Sequence, residues 1–181
     1  MSHCNQTLSI HQDNVSFFFN YICKNTCDNH IVLPPIKAPS LLFLQKVGKD
    51  KLTKLFLHHY GLMRQMASFA FYSHEYQTFM EETTKIAHFM IEAFGCNNLY
   101  TKEYGASAMR ELALPFYLNE NARELWLKLL AQTLKDVDFP KDMLAPFWEW
   151  MELFSLRLLD TNTLKHLPKR YYYQSIEPSF N

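Results

Sequence analysis

From Ser40 onward, apolar residues recur at helical spacing with scarcely a break. Leu52, Leu55, Phe56, His59, Leu62, Met63 and Met66 fall at i, i+3, i+4 and i+7 intervals, which predicts one buried face on a helix over about 50–66. Ahead of it, Ser40 can cap a short helix over 41–47 that Gly48 ends. Gly61 inside the longer helix costs about 1 kcal/mol against Ala, so a close crossing by another helix is expected there. A short turn through 69–72 leads to Ser73, the expected cap of a helix over about 75–94. Its stripe is Phe79, Thr83, Ile86, Met90 and Phe94, and Gly95 stops it. Residues 96–106 read as a loop, and 107–112 as a short segment ahead of Pro115. Asn121 with Glu124 three residues on has the form of a capping box, opening a helix to about Val137 with Trp126, Leu129, Leu130 and Leu134 inward. The last helix opens at Pro140 and buries Phe147, Trp150, Met151, Phe154 and Leu158, with Pro146 as an expected local kink.

No internal repeat and no two-residue alternation interrupts this pattern, so the fold class is all-α. Three regions follow. Residues 1–37 are polar, Asn-rich and punctuated by Pro34-Pro35, and read as an irregular N-terminal extension. Residues 38–160 form the helical domain, and 161–181 a polar, Tyr-rich tail. Within the tail, Pro168-Lys-Arg-Tyr-Tyr-Tyr173 could offer a basic and aromatic contact strip, although a solvated terminus is the simpler expectation.

Composition narrows the partners more than the fold. Fifteen Phe, ten Tyr and three Trp supply large core-fillers, while four Gly and eight Pro in 181 residues exclude collagen-like and turn-dense β architectures. Eighteen basic residues balance eighteen acidic ones, so no global field draws nucleic acid or an anionic membrane. The apolar run over 15–23 is broken by Asn20 and falls short of the roughly 20 residues a bilayer requires. It also lacks a basic stretch before it, so neither a signal peptide nor a membrane span is expected, and the chain reads as soluble and cytoplasmic. Four cysteines make no disulfide framework and suit a reducing compartment. Cys23, Cys27 and His30 bring three soft ligands within eight residues, a weak zinc candidate because the Cys-x3-Cys pair has no second half; a loop with two thiols is the plain alternative. His58 and His59 are adjacent on one helix and cannot chelate a single ion from one face.

The succession of short and long helices suits a globin, and many other bundles besides. A more specific combination is Tyr60, Tyr72, the loop from Gly95 to Tyr100, Arg110, Leu114-Pro115-Phe116, and then Asn121-Ala-Arg-Glu-Leu-Trp126-Leu. Over about 38–160 this resembles the group II truncated haemoglobins. The resemblance implies a truncated-globin-like helical sandwich with terminal extensions, a haem b clamped between helix pairs, and a diatomic gas as the ligand on iron. It places Tyr60, Tyr72 and Trp126 on the distal side as hydrogen-bond donors to that ligand. By the same resemblance Ile86 and Glu82 match the distal face of the 75–94 helix, and Phe116 and Leu118 fall beside the cofactor.

On the proximal side the chain departs from the family. There a histidine stands two residues before the Pro-Phe, usually after an arginine; here those positions hold Ala113 and Leu112. No other histidine lies between His88 and His166, and His88 is turned roughly 200° from Ile86 around its helix. Met109, one turn upstream of Ala113, is the remaining candidate ligand, since thioether ligation of haem occurs. The expected function is therefore a truncated-haemoglobin-like globin without conventional haem ligation. Either haem binds weakly through an unusual ligand, or the pocket is closed by side chains or taken by another apolar ligand. The alternative is a haem-free interaction or sensor module whose extensions contact a protein partner or a second copy. Haem peroxidase or nitric-oxide dioxygenase activity would require the iron. Gly-rich phosphate loops, Gly-x-Ser-x-Gly elbows and His-Glu-x-x-His are absent from the sequence.

Overall fold

The computed structural model describes residues 31–36, 41–70, 75–96, 98–105, 118–160 and 164–180. In chain order the helices are α1 (Leu41–Val47), α2 (Lys49–Arg64), α3 (Tyr76–Ala93), α4 (Leu99–Tyr104), α5 (Glu120–Asp136), α6 (Lys141–Ser155) and α7 (Tyr173–Ile176). Short 3₁₀ turns follow α2 at Ala67–Phe69, α6 at Leu156–Leu158 and α7 at Glu177–Phe180. Among the described residues the only strand-like pairing is one isolated bridge between Leu118 and Leu159, so the all-α expectation holds.

Most of each apolar stripe read from the sequence is buried, while Leu62, Met66 and Leu129 are only half-buried. Leu52, Leu55, Phe56 and Met63 of α2 face inward with Phe79, Ile86 and Met90 of α3 and Trp126, Leu130 and Leu134 of α5. The core is heavily aromatic at one end. Phe43 of α1 stacks on Phe94 at 4.9 Å and on Phe147 of α6 at 5.8 Å, and Phe139 lies 4.9 Å from Phe147. Pairs of this kind contribute about 0.5–1.5 kcal/mol each beyond the area they bury. They join α1, the end of α3, the α5–α6 turn and α6 into one cluster.

Several local expectations are revised. A Cβ built at Gly61 meets nothing within 4 Å among the described residues, so none of the described helices crosses closely there. The first turn of α3 is capped by Glu75, whose carboxylate accepts from the amides of Gln77 and Thr78; Ser73 lies outside the described residues. For α5 the cap is Asn119, which accepts from the Ala122 amide at 2.9 Å, rather than Asn121, which already belongs to the helix. Asn119 is extended, at φ −82° and ψ 170°, the backbone conformation an N-cap needs. Pro140 stands at the N-cap of α6, one residue before its first turn, and Pro146 sits within a helix that continues past it.

Where a loop over 96–106 is expected, the chain forms α4. The cause is Glu92, a buried acid near the end of α3. Its carboxylate accepts from the Tyr100 amide at 2.7 Å and the Thr101 amide at 2.9 Å, and from the Thr101 hydroxyl. One carboxylate thus satisfies two amides that the start of a helix leaves without partners, and its negative charge suits the helix N-terminus.

The tail is not free in solvent. Over 164–180 it packs on α5 and α6 through Leu164, Tyr171, Tyr173, Ile176 and Phe180. Buried polar groups of the helices draw it in. Trp148 donates its indole N–H to the Tyr171 carbonyl at 2.7 Å, and Arg123 donates to the Lys169 carbonyl at 2.6 Å. Beneath these, the Glu152 carboxylate receives Arg123 at 2.6 Å, Arg170 at 2.8 Å and the Tyr171 amide at 3.2 Å. Arg123 and Glu152 are each only 2% exposed, and two charges so far from water persist together only because each is paired and hydrogen-bonded. Ahead of α1, Leu33 and Ile36 lean on the core, and the Pro34 carbonyl accepts from the Arg157 guanidinium.

Candidate functional site

Three elements bring Tyr60, Ile86 and Trp126, three of the five sequence-predicted distal residues, to the same core. Tyr60 stands in the last full turn of α2, Ile86 in the middle of α3, and Trp126 in the second turn of α5. Helix α2 packs against both of the others. The three side chains are 4%, 6% and 1% exposed, and Phe79, Thr83 and Met90 around them are equally closed. Burial pushes the Tyr60 phenol well above its ordinary range, so it is a neutral O–H at any physiological pH.

Between Tyr60 and Trp126 the packing includes His59. Its ring meets the Trp126 indole edge-on, with centroids 4.8 Å apart and planes at 89°, and lies 5.5 Å from the Tyr60 ring. The residue is wholly buried, and neither ring nitrogen has a hydrogen-bond partner among the described residues. Burial pushes its pKa down to about 3; the nearby Leu129 backbone, short of good hydrogen-bond geometry, acts the other way, and the neighbouring His58 adds to the lowering. The imidazole is therefore neutral. Its neighbour His58 points outward to Asp136 at 2.8 Å, so the two adjacent histidines face different surroundings, as their spacing requires.

The remaining predicted positions divide. Leu118 is buried, held by a bond from its amide to the Leu158 carbonyl at 2.7 Å and another from the Asp160 amide to its own carbonyl at 3.1 Å. Glu82 is exposed on α3. Tyr72, Met109, Ala113 and Phe116 lie outside the described residues, as do Cys23, Cys27 and His30. Among the described residues no group of three or more His, Cys, Asp or Glu could hold a metal ion, and no helix is long and apolar enough to cross a membrane.

Sequence reading missed the buried charges. Arg123, Glu92 and Glu152 look like ordinary surface residues of amphipathic helices. A signal was present: Glu152 directly follows the inward Met151, and Arg123 stands three residues before Trp126, both within reach of the apolar stripe. The partners that make their burial tolerable lie up to 46 residues away, which no local pattern discloses.

Comparison with known proteins bears on this arrangement. A family model described as bacterial-like globin matches residues 43–159. A crystal structure of phosphate-bound Hell's gate globin IV is 30% identical, with a TM-score of 0.74, and the match covers 86% of this chain and 98% of that one. The group II truncated haemoglobin from Bacillus anthracis is 19% identical, with a TM-score of 0.55 over 71% of this chain and 94% of its own. The truncated oxygen-avid haemoglobin from Bacillus subtilis is also 19% identical, with a TM-score of 0.55 over 65% and 98%. At that identity the two Bacillus proteins attest the fold alone. No curated protein sequence matches significantly.

Proposed function

The chain belongs to the bacterial-like globin family, and from that premise we propose that it is a group II truncated-haemoglobin-like globin that has lost conventional haem ligation. The observation that carries this reading is the chemistry around Pro115-Phe116. Ala113, which has no lone pair to offer iron, stands where the resemblance puts the proximal histidine, and no histidine occurs over 89–165. Leu112 cannot pair with a haem propionate as an arginine would.

The distal side supports the same reading. A slot for a large ligand is a cavity of roughly 300–1,000 Å³, whose wall side chains lack neighbours on the side that faces it. Tyr60, Ile86 and Trp126 instead expose 4%, 6% and 1% of their surfaces, and His59 is closed behind Trp126. Large aromatic side chains can fill space at the density of a protein interior, so a globin core can persist without the cofactor. The described residues thus fit a sealed apolar core better than a haem slot. Diatomic gas binding and any peroxidase or dioxygenase chemistry depend on iron and fall with it.

The test is purification in the presence of added haemin, followed by an absorption spectrum. The expected result is a broad, non-saturating background. A sharp, ligand-responsive Soret band at one haem per chain would overturn the reading.

A second role, a haem-free interaction module, draws support from the terminal segments. Three of the large exposed apolar side chains, Val32 at 87%, Leu167 at 52% and Tyr172 at 57%, lie on segments flanking the globin core. Light scattering on the full chain and on a Val32→Ser, Leu167→Ser, Tyr172→Ser variant tests this role. If the chain self-associates and the variant does not, the segments form an interface between copies; a monomer in both cases sinks that version of the idea.

A further inference from the structure

We infer that the seam between α2 and α5 holds one buried water molecule, hydrogen-bonded to His59 and Thr133. Both side chains are completely buried, and the two ring nitrogens of His59 and the hydroxyl of Thr133 have no hydrogen-bond partner among the described residues. Buried polar groups in folded proteins almost always find a partner, and an ordered water is the usual one when no protein group serves.

The two residues face the same seam. Thr133 lies seven positions after Trp126 on α5, which returns it to nearly the same side of the helix. Trp126 touches His59, and Asp136, three residues beyond Thr133, touches His58. The stretch of α5 between those contacts therefore runs alongside the end of α2, with Thr133 turned toward it.

The behaviour of other threonines sharpens the point. Thr83 and Thr84 of α3 each donate their hydroxyl to the carbonyl one turn earlier, at 2.7 Å in both cases. That arrangement is the ordinary resolution for a threonine inside a helix. Thr133 does not make it. Its hydroxyl is left for something other than the Leu129 carbonyl, although that carbonyl lies one turn before it and close to the His59 ring.

The chemistry of the three groups suits a single water. A neutral imidazole offers one N–H and one lone pair, a hydroxyl offers a donor and two acceptors, and a helical carbonyl retains a second lone pair. A water placed among His59, Thr133 and Leu129 gains the two to four partners that a buried water requires. Phe56 and Leu55 on α2 and Leu130 and Leu134 on α5, one turn or less from His59 and Thr133 on their own helices, are buried carbon side chains.

Two measurements test the proposal on the full chain. Water-selective NMR should give a rotating-frame cross-peak from water to the Thr133 hydroxyl or the His59 ring, and a high-resolution crystal structure should show a water between them. Thr133→Val keeps the shape and removes the hydroxyl, so the His59 cross-peak should be lost while the fold is kept. Absence of both the wild-type cross-peak and the crystallographic water would overturn the inference, and so would an unchanged His59 cross-peak in Thr133→Val. If that variant fails to fold, the wild-type observations decide alone.

Discussion

The imidazole of His59 stands edge-on to the indole of Trp126, 4.8 Å between ring centroids and at 89°, with no water-exposed surface of its own. An edge-to-face contact of this sort is a favourable packing for neutral rings. It is also the contact of a histidine whose burial disfavours the protonated form.

Acid should destabilise the protein through this residue. The unfolded chain binds a proton at His59 near pH 6.5, whereas the folded chain resists until about pH 3. Protons therefore favour unfolding, and the contribution is fully kept above pH 6.5 and is lost as pH falls toward 3. The slope is about 1.4 kcal/mol per pH unit below 6.5, so the step from pH 7 to 5 removes about 2 kcal/mol through His59. Urea unfolding at both pH values measures it, and His59→Phe should remove that part of the loss.

Glu152→Ala should be among the most damaging substitutions. It leaves Arg123 buried without its carboxylate and frees Arg170 and the Tyr171 amide at the same time. Breaking a buried pair from one side costs about 3–5 kcal/mol. Arg170→Ala should cost less, because that guanidinium is 22% exposed and water can replace part of its role. Denaturant midpoints of the two variants should rank in that order, with early loss of near-ultraviolet signal from the tail tyrosines.

Gly61→Ala should stabilise the protein. The position is helical, and an added Cβ meets no atom within 4 Å. The gain expected from reduced freedom of the unfolded chain is about 0.5–1 kcal/mol. For a chain of this size that is a rise in melting temperature of about 1–4 °C. No change, or a fall, would mean that something crosses α2 there after all.

Glu92→Gln should loosen α4 selectively. The neutral amide keeps one acceptor oxygen but loses the charge at the helix start, at a cost of about 1 kcal/mol. Hydrogen exchange at the Tyr100 and Thr101 amides should accelerate about fivefold, with the amides of α5 unaffected.

Ala113→His separates the loss of a ligand from the loss of room. With Tyr60, Ile86 and Trp126 sealed, the variant should take up no stoichiometric haem. A sharp band at one haem per chain in the variant, and none in the parent, would show that the slot survives and only the ligand has gone.

The fold was readable because its dominant signal is local. The stripes Leu52–Leu55–Phe56, Phe79–Ile86–Met90 and Trp126–Leu130–Leu134 need only helical geometry to appear, and all are buried. Membership of the family was readable for the same reason, since Pro115-Phe116 and Ala122-Arg123-Glu124-Leu125-Trp126 lie within a dozen residues of one another. What escaped depends on distant parts of the chain. A helix over 99–104 needs an acid on the preceding helix, and the docking of the tail needs Arg123, Trp148 and Glu152 to be short of partners. Asn119 and Asn121 are equally plausible caps by type, and only the extended backbone at Asn119 decides between them.

The bridge between Leu118 and Leu159 has a consequence for how this chain could change over time. Two backbone hydrogen bonds staple the start of α5 to the residues just after α6, closing the hairpin on itself. On the other side, Glu92 fastens α4 to α3. In the sequence, residues 106–117 separate these two fastenings. Neither set of hydrogen bonds uses a side chain from between them, so a substitution there, Ala113→His included, leaves both fastenings with all of their own groups.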